Sequence, residues 1–387
     1  MEKLKTSVIS NGLLWFGAGI SIAEILTGML VAPLGFRQGA AAIILGHIIG
    51  GLIMYGAGLI GARTGLSAME TVRLAFGRNG SGWFAFLNVI QLIGWTAVMI
   101  AVAAVAADVL VPLGNTVWSI VVGAGIALWI VLGLKNLGRI NIVVMAALFG
   151  LTVFLSHVIF QGTLHIAEGS MTFGGAVELA VAMPLSWLPV IADYTRTAEK
   201  PAAATAGSCL AYFIASCWMF FIGMGAVLYI GNDDLAGIMA QAGMGIAGII
   251  IILLSTVTTT FLDALSAGIS SKTVADSFSE TGAALVACII GVVLAVVADA
   301  GQFEAFLYLI GSVFAPMTAI LLADYFILGA DRREEGVNVL NIILWIAGFC
   351  LYRQVLDMDT PLGVTFPVIV IIMLLSIALH KIIKNGS

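Results

Sequence analysis

The chain has 387 residues, of which 61% are hydrophobic and only 10% charged, with a net charge of −5, and its mean hydropathy is +1.13. A soluble domain carries about 25% charged residues because its surface must meet water. A soluble enzyme, a nucleic-acid binder and a disordered chain are therefore poor readings, and the apolar runs point instead to a polytopic helical membrane protein, since one span needs roughly 20 apolar residues.

Apolar blocks parted by Gly, Pro, Asn or charge predict twelve spanning helices, at 12–34, 39–62, 81–109, 115–134, 140–160, 174–194, 203–230, 242–270, 282–299, 302–328, 338–353 and 363–383. No block alternates with period two, so a β-barrel is ruled out. The opening MEKLKTSVISNG leads into an apolar stretch longer than a signal-peptide core, which reads as a first span and not a removed leader. The stretch 232–243, NDDLAGIMAQAG, is too short and polar to span and reads as a loop helix. Twelve spans put both termini on one side. Fourteen of the 16 Lys and Arg fall on that side, from Lys3 to Lys384, and only Arg37 and Arg353 on the other. The positive-inside bias makes that side cytoplasmic, in the inner membrane. Cys209, Cys217, Cys288 and Cys350 lie in apolar stretches without metal-ligand spacing and read as small buried hydrophobes.

The first predicted helix, NGLLWFGAGISIAEILTGMLVAP, places Gly17, Gly19, Ser21, Glu24 and Gly28 around its middle. Glycines weaken a helix. A break frees carbonyls that can hold a cation or substrate at mid-membrane, while close helix packing is the other use of small residues. A carboxylate near the bilayer centre costs several kcal/mol unless protonated or partnered, which marks Glu24. The third helix carries Gln91 and Trp95 one turn apart on one face. Pro184 and Pro189 interrupt the sixth, VAMPLSWLPVIADYTR, which also carries Trp187. A planar ligand between Trp95 and Trp187 would gain stacking, and an amide nearby would read its polar edge. The eighth helix, LLSTVTTTFLDALSAGISS, sets Thr259 one turn before Asp263 on the same face. Hydroxyls with free carbonyls suit a hard cation such as Na⁺, whereas each hydroxyl alone can bond back to its own helix.

Other polar residues read more plainly. His47 is expected to be a satisfied buried histidine. Asp193, three residues before Arg196, is expected to pair with it as a surface anchor, and Asp324 stands in a second Asp-Tyr pair. Glu178 and Glu304 are expected to be solvated at the outer edge. There is no phosphate loop, metal-ligand spacing or nucleophile–His arrangement, so the chain does not read as an enzyme or an ATP-driven pump and needs no cofactor beyond a coupling ion.

Several strings together resemble the nucleobase–cation symport-1 family: WFG…TG in helix 1, TVRLAFGRNGS at 71–81, IGWTAV in helix 3, ADYTR closing helix 6, TTT…D in helix 8 and FLYLIGSVFAPMTAILLADYF in helix 10. Within that family, ISIAEILTG, MPLSWLPVIADYTR and TTTFLDALSAG look most like a hydroxymethylpyrimidine permease serving thiamine salvage. The resemblance implies an all-α, LeuT-like fold of two inverted five-helix repeats, about 12–160 and 174–328, within a core of 1–328, and two extra C-terminal helices at 338–383. It implies substrate between broken helices 1 and 6, with Trp95 stacking on the ligand ring and Gln91 one turn before it. Where many members place an aromatic in helix 6 this chain has Pro184, and Ser186 and Trp187 are the nearest candidates. Where many place Asn in helix 8 it has Asp263. By the same resemblance Gly17, Ser21 and Thr258 or Thr259 are the Na⁺ candidates.

The acid in place of an amide has a chemical consequence. An amide both donates and accepts, whereas an ionised carboxylate only accepts. Glu24 and Asp263 would favour a ring rich in N–H donors, an aminopyrimidine such as hydroxymethylpyrimidine or cytosine, over uracil. The expected activity is import of such a pyrimidine by symport with Na⁺ or H⁺, with purine, allantoin or another small-molecule carriage on the same fold as the alternative. Carboxyls that take up and release protons keep H⁺ open beside Na⁺. The lipid bilayer is the only partner required besides substrate; no nucleic acid and no obligate protein partner is expected.

Overall fold

A computed structural model describes the backbone of residues 5–231, 234–241, 243, 245–297 and 303–386, and the side chains of all of these except 134–142, 235, 240, 241, 303 and 386. Lys3 and the ends of the predicted 232–243 loop helix lie outside the described residues. The regular elements among the described residues are helices; one isolated β-bridge, Thr6 with Ala198, ties the N-terminal end to the segment after ADYTR.

The helices are α1 (Val8–Gly19), α2 (Ile22–Val31), α3 (Gly35–Thr64), α4 (Ala68–Leu110), α5 (Asn115–Ile159), α6 (Phe173–Ser186), α7 (Ile191–Thr195), α8 (Pro201–Gly225), α9 (Leu235–Gln241), α10 (Gly245–Val274), α11 (Glu280–Val297), α12 (Phe303–Leu322), α13 (Val339–Val355) and α14 (Thr365–Gly386). π-helical turns extend α8 over Ala226–Ile230 and α12 over Ala323–Leu328. Among the described residues, eight helical stretches are long and apolar enough to cross a membrane, and four shorter apolar helices accompany them.

Two helices are interrupted, both where the sequence predicts it. The first breaks at Ile20–Ser21, and Ser21 caps the second half by accepting from the Ala23 N–H at 3.2 Å. The other breaks over 187–190, between α6 and α7, where Pro189 has no N–H to give. The freed Pro189 carbonyl accepts from Asn88 Nδ2 of α4 at 2.9 Å. Helices α4 and α5 each turn at a glycine in the left-handed region, Gly77 (φ 77°) and Gly133 (φ 71°). At the first, the 335–336 backbone accepts from the Arg78 and Asn79 N–H groups at 2.9 and 2.8 Å, so the GRNG of the family-like string marks a clamped elbow.

Packing follows an exchange of halves. Helix α1 lies along α8 as α6 lies along α3, and α4 lies along α10. These three main pairings map onto one another under swapping α1 with α6, α3 with α8 and α4 with α10. The α2–α8 crossing is close enough that backbone meets backbone. A Cβ at Gly28 would lie 2.6 Å from Phe220 Cα, and one at Gly223 would run into the Ile25 carbonyl. Gly223→Val is therefore expected to destabilise the protein by about 1–3 kcal/mol or more through overpacking. A lower melting temperature of the detergent-solubilised protein checks it; an unchanged one sinks it.

Four expectations from sequence are corrected here. Glu178 is 3% exposed, not solvated. Its carboxylate accepts from the Val364 and Thr365 N–H groups (2.7 and 2.8 Å), from Thr365 Oγ1 (2.6 Å) and from Tyr352 Oη (2.8 Å). It thus caps the positive N-terminus of α14 and ties α6 to α13 and α14. Asp193 does not pair with Arg196. It is buried and accepts from the Ala68 N–H at 2.8 Å, capping α4, while Arg196 reaches Glu70 at 4.0 Å. Asp324 is likewise buried, held by Arg332 Nε (3.1 Å) and Asn341 Nδ2 (2.8 Å). Cys350 is exposed, unlike the other three cysteines.

Candidate substrate and cation site

An enclosed cavity lies where the two interrupted helices face each other. The first interruption contributes Ala18, Ser21, Ala23 and Glu24; the second contributes Met183, Ser186 and Trp187. Helix α4 adds Trp95 and Met99, and α10 adds Thr259 and Asp263. No lining residue exceeds 6% exposure, so the cavity is shut off on both sides.

Each wall has a local cause. The break after Gly19 turns Ser21 and Glu24 inward at the start of α2, where a carboxylate also meets the positive end of the helix. The wound-out 187–190 turn brings Trp187 to the cavity. Its Nε1 donates to Tyr212 Oη at 3.2 Å, and its ring meets Trp15 edge-on at 5.4 Å. Trp95 packs against Phe306 with ring centroids 5.6 Å apart. Thr259 and Asp263 stand one helical turn apart on α10 and both face inward, as their spacing predicts.

The two acids are not equivalent. Glu24 is already engaged: Tyr212 Oη donates to Oε1 at 2.6 Å and Ser216 Oγ to Oε2 at 2.8 Å. Behind Ser216 lies His47, its Nε2 at 2.6 Å and its Nδ1 at 2.8 Å from the Ile43 carbonyl, so this histidine is satisfied. Asp263 is 4% exposed and has no hydrogen bond to a described residue. Of the two lining carboxylates, it is the one with no described hydrogen-bond donor at either oxygen, whereas each Glu24 oxygen already accepts one.

Of the ten residues predicted from sequence, seven line the cavity: Ser21, Glu24, Trp95, Ser186, Trp187, Thr259 and Asp263. Gln91, Gly17 and Thr258 do not. Gln91 is buried and donates through Nε2 to Asn88 Oδ1 at 2.8 Å, so it steadies the residue that holds the Pro189 carbonyl. Gly17 packs against the Met145 side chain, and its carbonyl accepts the Ile20 N–H at 3.1 Å. Thr258 Oγ1 bonds back to the Leu254 carbonyl at 2.7 Å, whereas Thr259 Oγ1 is buried without a partner. Tyr212, Ser216 and Met183 escape sequence reasoning. They sit in ordinary apolar helical runs, and no local spacing links them to Glu24 across 188 and 192 positions.

An all-helical membrane bundle that encloses a polar cavity between two interrupted helices defines a transporter of the LeuT-like class. The fold is shared with solved transporters. The Mhp1 transporter, in a closed conformation with bromovinylhydantoin bound, superposes with a TM-score of 0.81 at 18% identity, over 99% of this chain and 94% of that one. A Na⁺-coupled sialic acid symporter in a substrate-bound outward-open state gives 0.70 at 15% identity, over 97% and 88%. Residues 2–336 match the family of permeases for cytosine/purines, uracil, thiamine and allantoin. The cytosine permease of Escherichia coli K12 is 24% identical over 352 residues, covering 89% of this chain and 82% of the relative. The chain belongs to the nucleobase–cation symport-1 family. Its relatives are permeases and transporters, not enzymes.

Proposed function

We propose that this protein imports an aminopyrimidine, hydroxymethylpyrimidine or a cytosine-like ring, by symport with Na⁺ or H⁺ and alternating access across the cytoplasmic membrane. The observation that carries this reading is the unengaged Asp263 carboxylate in a buried cavity that two indoles, Trp95 and Trp187, help to line. Trp95 stacks on the ring and Trp187 bounds its other face. Asp263 accepts ring and exocyclic N–H groups, Glu24 offers what acceptor capacity Tyr212 and Ser216 leave, and Ser186 supplies a hydroxyl. Gln91 acts one step back, through Asn88. The relative named for cytosine supports the pyrimidine class.

For the cation, Ser21 and Thr259 are the candidate oxygen ligands that line the cavity, with Gly17 one turn before Ser21 and Thr258 directly before Thr259. The topology that goes with this function has twelve spans and both termini in the cytoplasm. It has a core of 1–328 made of repeats at about 12–160 and 174–328, and a peripheral pair at 338–383. The exchange-symmetric helix contacts support the repeats. Symport follows if both ligands favour the same closed conformer, since coupling is a difference in affinity between states.

Purified protein in proteoliposomes tests the substrate. Hydroxymethylpyrimidine is expected to displace labelled substrate at far lower concentration than uracil does; equal potency would overturn the aminopyrimidine reading. Replacing Na⁺ by choline at fixed pH then separates the ions: lost accumulation identifies Na⁺, and unchanged accumulation identifies the proton.

A further inference from the structure

The chain of contacts behind Glu24 can be counted in protons. The Ile43 carbonyl only accepts, so His47 Nδ1, 2.8 Å away, carries a hydrogen. Ser216 has one hydroxyl hydrogen and two acceptor-capable neighbours, His47 Nε2 at 2.6 Å and Glu24 Oε2 at 2.8 Å. If Ser216 donates to Glu24, His47 Nε2 must donate to Ser216, and the ring is an imidazolium. If Ser216 donates to His47, Glu24 must donate to Ser216, and the acid is protonated. Both arrangements contain one proton more than neutral histidine plus carboxylate. Without it, one of the two contacts has no hydrogen, and a buried polar pair faces itself unbonded, at a cost of about 1–3 kcal/mol.

We infer that His47, Ser216 and Glu24 form a one-proton site wired to the substrate cavity. The two filled arrangements interconvert without net gain or loss. Glu24 passes its proton to Ser216 Oγ while Ser216 passes its own to His47 Nε2, turning carboxylic acid and imidazole into carboxylate and imidazolium. The exchange matters at the cavity end. Glu24 there accepts from Tyr212, which in turn accepts from Trp187, a cavity wall. A substrate N–H that engages Glu24 draws the proton back to His47 and does not expel it. A substrate that donates to Glu24 thereby selects the carboxylate–imidazolium arrangement, and the proton stays within the chain. The other titratable groups facing this chain are Tyr212 and Cys217 of α8 and Asp263 of α10; no described Lys or Arg lines the cavity. Asp263 joins the cavity and not the His47 chain, so it can add a second pH dependence but cannot replace the histidine signal.

This inference rests on the proposed transport function only for its link to substrate. The proton site itself is tested on the full-length protein without ligand. The chain has 4 histidines, so the ¹⁵N ring signals of His47 are identified by their disappearance in His47→Gln. A hydrogen on His47 Nδ1 together with either an imidazolium ring or a protonated Glu24 carboxyl, read by its ¹³C signal against Glu24→Gln, is expected; a neutral ring beside an ionised Glu24, or a neutral ring with its hydrogen on Nε2, overturns the proposal. Next, hydroxymethylpyrimidine is added to lightly buffered protein over a range of pH, with choline as the only other cation. A rise in the imidazolium signal of His47 on binding, without net proton uptake where the site is filled, is expected, and its loss in Ser216→Ala and Glu24→Gln. Binding seen by thermal shift with an unchanged His47 ring at every pH in the unsubstituted protein overturns the link, whatever the variants do. If no pyrimidine binds, the transport reading fails, while the ring signals still decide the proton site.

Discussion

Asp263→Asn is expected to exchange the ring preference of the cavity. The carboxylate accepts at both oxygens, whereas the amide would present one acceptor and two donors. Losing a hydrogen bond to a charged acceptor costs about 1.5–3 kcal/mol, or roughly 10- to 100-fold in affinity for hydroxymethylpyrimidine. Uracil, with carbonyls to offer the new donors, should gain. The measurement is competition by both rings against one labelled substrate, paired with melting curves to show that the variant is folded. If the variant keeps the original ratio, Asp263 does not read the ring. The near-isosteric swap keeps the shape of the side chain and breaks no hydrogen bond to a described residue, so thermal stability should not fall.

Trp95→Ala should carry the other large effect. Stacking of a base on an aromatic side chain contributes about 1–3 kcal/mol by alanine substitution, so affinity is expected to drop by roughly 5- to 100-fold. Trp95→Phe should recover part of it, because the smaller ring still presents a π face beside Phe306. A retained affinity in Trp95→Ala, measured by equilibrium binding to the solubilised protein, would move the ring elsewhere, with Trp187 the next surface to test. Both substitutions act on binding energy in a cavity already enclosed, so their effects belong to Kd before they belong to transport rate.

Much of the architecture was legible because it is written in local chemistry. Pro189 cannot donate to a helix, and the Gly17–Ser21 run does not favour one, so both interruptions could be placed from sequence, although Pro184, expected to interrupt the same helix, is accommodated within α6. Thr259 and Asp263 share a face by spacing alone. What sequence hid were partners brought together by the tertiary fold. Asp193 sits close to Arg196 in sequence yet meets a backbone N–H 125 positions away. Glu178 looked solvated because the α14 N-terminus that buries it lies 186 positions on. Gln91 has the right spacing for the cavity, but Asn88, one turn back, takes its amide hydrogen bond. Polar residues in a membrane protein are costly to leave unpaired, so they find long-range partners, and helical periodicity carries no information about those.

The Glu178 cap limits how small a working unit can be. The family match ends at residue 336, before α13 and α14 begin. All four donors to Glu178 lie beyond that boundary, on Tyr352, Val364 and Thr365. A shortened protein stopping at the boundary would keep α1 to α12 but strand a carboxylate without its donors on the very helix whose interruption forms the cavity. Removing the partners of a buried charge costs about 3–5 kcal/mol. In energetic terms the last two helices are part of the core, and a minimal version of this transporter would have to neutralise position 178 before it could dispense with them.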